Sequence, residues 1–75
     1  MNREGMIEMK IAVYTGITGM GRRFEGYKTY EEILEGFEDK NKANIIISDL
    51  KRTGTSVRAI KGSIEAVYYK IVPES

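Results

Sequence analysis

Neither a cysteine nor a histidine occurs anywhere in the chain. For 75 residues this is a severe constraint. Domains of this size bury only about 60% of the surface their unfolded chains expose, and small ones often lean on disulfides or metals. Disulfide staples are excluded here, as are Cys/His zinc sites and every mechanism built on an imidazole base. A single apolar core has to hold the fold, and 41% apolar against 31% charged residues is the balance of one globular domain. No apolar run approaches the length of about eighteen residues that crosses a bilayer. The polar start Met1-Asn2-Arg3-Glu4-Gly5 is unlike a signal peptide. Residues 1–5 are expected to be a disordered extension and 6–73 a single small domain. Lack of cysteine is compatible with a reducing compartment, so the expected location is cytoplasmic.

Ile7, Met9, Ile11 and Val13 alternate with Glu8, Lys10, Ala12 and Tyr14, the period of a half-buried strand. The strand runs into Gly16-Ile17-Thr18-Gly19-Met20-Gly21, and an extended pattern resumes over Arg22–Tyr27. Together they predict a hairpin with a glycine-rich connection. Thr29 and Glu32 have the spacing of a capping box. Tyr30, Ile33, Leu34 and Phe37 then form an apolar stripe opposite Glu31, Glu35 and Glu38. The helix is expected to end near Lys40-Asn41, with Gly36 inside it at a cost of about 1 kcal/mol. Asn44 to Leu50 is rich in β-branched residues and reads as a strand. Thr53-Gly54-Thr55 reads as a turn, Ser56 to Lys61 as a short strand and Gly62-Ser63 as a second turn. Ile64 to Val72 is the last strand, halted by Pro73.

The expected order is β-β-α-β-β-β, an α+β fold: a curved antiparallel sheet or small open barrel with one helix packed on it. Both faces of the last strand carry bulk, Ile64, Ala66 and Tyr68 on one and Val67, Tyr69 and Ile71 on the other. A second covering surface is therefore expected, from the helix or another subunit, and with it a homo-oligomer.

The net charge of +1 hides a split. Residues 1–40 carry six basic and eight acidic side chains, and residues 41–75 carry six basic and three acidic. The chain is an electrical dipole, with an acidic helix and a basic hairpin over Lys51–Gly62. Such a body suits a polyanion on one side or copies of itself head to tail.

Two segments are candidate sites. In Gly16–Gly21 the glycines permit positive φ and can bring backbone N–H groups together around an anion, with Arg22 and Arg23 as guanidinium forks. The spacing GxxGxG lacks the Lys-Ser/Thr ending of a P-loop, and no helix follows it. The plainer reading is a hairpin loop with two solvated arginines. In the basic hairpin, Arg58 and Lys61 lie near the tyrosines of the sheet, a mixture used by single-strand binders. Here the plainer reading is an edge strand that carries cations against aggregation. The candidate ligand-binding residues are Gly19, Gly21, Arg22, Arg23, Arg58 and Lys61. Catalytic and metal-ligating residues are not expected. The glutamates lack an apolar cage to raise a pKa, a Ser or Thr nucleophile lacks a base, and nothing matches an EF-hand loop.

Gly21-Arg22-Arg23-Phe24-Glu25-Gly26, with Asn44–Asp49 and Ile60-Lys61-Gly62, resembles fragments of the Sm/Hfq pattern. Thr55-Ser56 followed by Ile60-Lys61-Gly62 is similar to one strand of the tryptophan-responsive RNA-binding attenuation protein. Both families are β rings that bind RNA, and the resemblance implies that class. The glutamate-rich helix departs from both patterns, so no residue role is carried over. The expected function is a non-enzymatic, oligomeric binding module for an anionic ligand: single-stranded nucleic acid or a phosphorylated, nucleotide-like small molecule. No cofactor and no membrane are expected. The alternative is a small protein-interaction module, an inhibitor or adaptor, that sets its acidic helix against a basic partner.

Overall fold

The described part of the first alternating segment, from Met9 on, is the first of two central strands; Ile7 and Glu8 lie outside the described residues. In the computed structural model, residues 9–73 are described; the expected extension over residues 1–5 lies outside them. β1 (Met9–Ile17) pairs antiparallel with β2 (Arg22–Lys28) on one side and β4 (Glu65–Pro73) on the other, and β3 (Thr55–Ala59) pairs antiparallel with β4. The result is one open four-stranded sheet in the order β2-β1-β4-β3. Two helices, α1 (Tyr30–Glu35) and α2 (Lys40–Thr53), connect β2 to β3. The fold is α+β with an antiparallel sheet, and the element order is β-β-α-α-β-β.

The core lies between the helices and one face of the sheet. Ile11 and Val13 of β1 and Val67 and Tyr69 of β4 meet Ile33 of α1 and Ala43, Ile46 and Leu50 of α2. Tyr30, Leu34 and Phe37, the other members of the first stripe, pack against this cluster. Burying one such aliphatic side chain is worth about 1.5–3 kcal/mol.

α1 begins as its sequence predicts. The Glu32 N–H donates to the Thr29 hydroxyl oxygen, and the Thr29 N–H donates to the Glu32 carboxylate. It is shorter than predicted, because Gly36 is its C-cap and not an interior residue. The Lys40 ammonium then donates to the carbonyls of Leu34 (2.7 Å) and Phe37 (2.9 Å). That satisfies backbone acceptors left open where the chain turns into α2.

The expected strand over Asn44–Leu50 is instead the heart of α2. Three features outweigh the β preference of its isoleucines. The Asp39 carboxylate caps the Asn41 N–H. Ala43, Ile46, Ile47 and Leu50 fall on one helical stripe that meets the core, while Ile45 is exposed. Lys51 and Arg52 sit in the last turn, where cations complement the helix dipole, and Gly54 closes the helix at φ 87°. The expected turn at Thr53-Gly54-Thr55 is thus a helix terminus. The Gly54 carbonyl accepts from the Ile71 N–H (2.9 Å), joining the helix end to β4. The basic hairpin is therefore the end of α2, strand β3 and the turn after it. The Asn44–Asp49 part of the Sm/Hfq resemblance is helical here.

The two faces of β4 are both covered within the chain at its centre. Val67 and Tyr69 enter the helix-side core, and Tyr68, on the other face, is also buried. Ile64 precedes the strand and is exposed.

Gly16 sits where β1 passes closest to the start of β2. A Cβ there would lie 2.3 Å from the Gly21 carbonyl oxygen and 2.9 Å from the Arg22 Cα. Both are backbone atoms that cannot rotate aside. Gly16→Ala is expected to cost about 1–3 kcal/mol, seen as a lower denaturation midpoint; an unchanged midpoint would contradict this close approach.

Candidate nucleic-acid interface

The helices cover one face of the sheet; the other, the open face, has Ala12 and Tyr68 buried at its centre and Phe24 and Tyr27 exposed towards its β2 edge. Strand alternation and register fix which side chains stand on the open face. Across β1 and β4, Ala12 opposes Lys70, Tyr14 opposes Tyr68, and Gly16 opposes Ala66. Across β1 and β2, Ala12 opposes Tyr27, Tyr14 opposes Phe24, and Gly16 opposes Arg22. On β3, Val57 opposes Tyr68.

Phe24 and Tyr27 are three residues apart, so a regular strand would point them to opposite faces. The register shift between Val13 and Tyr14 removes that difference. One extra residue on β2 is accommodated there, with Gly26 at φ 133°, and both rings emerge on the same side. Tyr14 and Phe24 meet edge-to-face with centroids 5.5 Å apart, and Phe24 and Tyr27 do so at 5.1 Å. Phe24 and Tyr27 keep 52% and 53% of their surface exposed. These are rings organised by each other and still open to a partner.

The charged side chains that the described strand residues place on this face are cations. The Lys10 ammonium lies 5.0 Å from the Tyr27 centroid, and the Arg22 guanidinium lies 3.9 Å from that of Tyr68. Lys70 stands across from Ala12. Tyr68 shares a hydrogen bond with the Thr18 hydroxyl (2.9 Å), which ties the hairpin loop to this face. The acidic residues of β2 and β4 turn away. The Glu25 carboxylate accepts from the Thr15 hydroxyl (2.5 Å), and Glu65 pairs with Arg23, all on the helix side. Among the described strand residues, the open face carries three cations and no carboxylate.

The predicted site residues divide between different places. Arg22 is on the open face. Arg23 is on the opposite one, donating to Thr15 Oγ1 (3.0 Å) and lying 3.5 Å from Glu25 and 3.7 Å from Glu65. Gly21 and both arginines border a depression of about 390 Å³ at the hairpin end, but Glu65 borders it too. Gly19 lies in the turn closed by the Met20 N–H on the Ile17 carbonyl (2.9 Å), at φ 85°. That is the position where a type II turn requires a positive φ. Gly21 is at φ 93°. Arg58 lies on the helix side of β3 with its guanidinium 4.9 Å from the Phe37 centroid, and Lys61 is on the turn after β3. Arg58 and Lys61 border a separate groove.

The open-face cluster of Tyr14, Phe24, Tyr27 and Lys70 is not legible in the sequence as one site. The signal for it is Gly26 inside a strand that also holds aromatic residues, since a glycine within a strand often marks a bulge. Among the described residues there is no group of three or more acidic side chains placed to hold a metal ion, and no helix is long and apolar enough to cross a membrane. No protein-family model, curated protein or solved structure matches the chain.

Proposed function

We propose that this chain is a non-enzymatic binding module whose open sheet face takes single-stranded nucleic acid. The observation that carries the reading is that the exposed Phe24 and Tyr27 rings stand on the same sheet face as Arg22 and Lys70. Unpaired bases can stack on aromatic side chains, each stack being worth about 1–3 kcal/mol. On this reading Arg22 and Lys70, which share that face, meet the phosphates that link those bases. A duplex keeps its bases stacked on one another, so it gains only the electrostatic part. Sequence preference is expected to be weak, because rings accept any base and the face offers few fixed hydrogen-bonding groups.

The test is fluorescence anisotropy of labelled single-stranded and duplex oligonucleotides across a salt series. The single strand should bind more tightly, with affinity falling as salt rises. Removing one phosphate-binding cation should reduce the log–log salt slope by about 0.7 for single strands. Arg22→Ala is expected to weaken binding and reduce the slope by about that amount. Arg23→Ala, on the other face, should leave both unchanged. Equal binding of duplex and single strand, or a slope indifferent to Arg22, would overturn the reading.

A further inference from the structure

A second cleft lies on the helix side of the sheet, between the α1–α2 connection and β3. It has a volume of about 600 Å³, within the range of small-molecule sites. Its floor is apolar, with Ile33, Ile46 and Tyr69 from the core and Phe37 beside them. Its border carries Lys28, Lys42, Arg58 and Lys61, and none of the four makes an ion pair among the described residues.

The carboxylates at the same border do not balance these charges. Asp39 is engaged as the cap of α2, accepting from the Asn41 N–H at 3.0 Å. Asp49 accepts from Arg52 (2.8 Å) and from the Ser56 hydroxyl (3.2 Å). With Asp49 neutralised by Arg52, two carboxylates, Glu38 and the capping Asp39, stand against four cations. Arg58 adds a more specific sign. Its Nε is withdrawn from solvent and has no hydrogen-bond partner, while its guanidinium rests near the Phe37 ring. A buried N–H without an acceptor is costly, and among the described residues no carboxylate pairs with this guanidinium. An anion set against its outer nitrogens would supply the missing countercharge through charge-assisted hydrogen bonds.

We infer that this cleft is a second binding site, for a small organic anion: a carboxylate or phosphate monoester carried on an apolar body. The anionic group meets Arg58 and Lys61, and the body lies on Phe37, Ile46 and Tyr69. The site is independent of the open face, which is on the other side of the sheet.

The experiment is a fluorescence titration of the full chain with 8-anilinonaphthalene-1-sulfonate, an aromatic anion whose emission rises when it leaves water. One saturable site is expected. Arg58→Met, which keeps an apolar stem and removes the charge, should weaken dye binding about tenfold or more. It should leave oligonucleotide binding unchanged. Lys61→Glu lies on an exposed turn away from the core and should weaken the dye severalfold, which tests the site even if Arg58→Met lowers stability. Displacement by decanoate would identify an aliphatic carboxylate, and displacement by adenosine monophosphate a nucleotide. Failure of both to compete would overturn the ligand class. Unsaturable dye binding, undiminished affinity in Lys61→Glu, or displacement of the dye by a saturating single-stranded oligonucleotide would overturn the site.

Discussion

Leu50→Ala is expected to cost about 2–5 kcal/mol of folding stability, and Ile45→Ala less than about 0.5 kcal/mol. Leu50 is 1% exposed and sits in the cluster formed by both helices and the central strands. Removing its isobutyl group forfeits the transfer energy and leaves a cavity that the sheet cannot fully collapse into. A 75-residue domain has roughly 4–11 kcal/mol of stability in all, so this one truncation removes a large share of it. Ile45 lies on the solvent side of α2, 61% exposed. The contrast tests the helix itself. In a strand Ala43 and Ile45 would share a face, whereas in α2 Ala43 is fully buried and Ile45 is open to water. Urea denaturation of the two variants, followed by circular dichroism, reads the difference. Similar midpoints would contradict the helical assignment of residues 40–53.

Phe24→Ala combined with Tyr27→Ala is expected to weaken single-strand binding by about thirtyfold or more, the equivalent of about 2 kcal/mol. No charge is removed, so the salt slope should stay as it is in the unaltered chain, while Arg22→Ala changes the slope. That separation distinguishes a stacking platform from a merely basic surface. The rings are half exposed and contribute to the fold mainly through their edge-to-face contacts, worth about 0.5–1.5 kcal/mol each. The double variant should therefore remain folded, which its circular dichroism spectrum checks. Unchanged affinity in a folded double variant would remove the stacking role.

Wherever local chemistry and burial agree, the sequence is legible. The Thr29–Glu32 capping box, the stripe of Tyr30, Ile33, Leu34 and Phe37, and the inward places of Ile11 and Val13 all appear as their spacing predicts. The hairpin turn with Gly19 and the tight connection at Gly62, which has φ 78°, follow from turn residues alone. Residues 40–53 are harder to read, because two periods coexist there. Ile45-Ile46-Ile47 suits a strand, while Asp39, the stripe from Ala43 to Leu50, and Gly54 suit a helix. The caps decide it only when they are weighed together with a core that can accept that stripe.

The candidate interface shows the same division more sharply. Sequence spacing alone sets Phe24 and Tyr27 on opposite faces, and sets Arg22 and Arg23 side by side as one phosphate grip. The bulge between Val13 and Tyr14 reverses the first relation, and strand alternation breaks the second. Arg58 and Lys61 prove to border a helix-side cleft, not the aromatic face.

The features that follow from the residues alone are local: the α+β class, the first hairpin, the start of α1, the glycine turns and a chain with neither thiol nor imidazole chemistry. Hydrogen-bond caps, turn torsions and side-chain period act over a few residues, so they can be read from a few residues. Three outcomes needed the assembled molecule: the helical state of Asn44–Leu50, the meeting of Phe24 and Tyr27 on one face, and the choice of which cations share a surface. They depend on strand register and on which stripe the sheet buries. Both are settled by contacts between residues far apart in the chain, where a one-residue shift moves every later side chain to the other face.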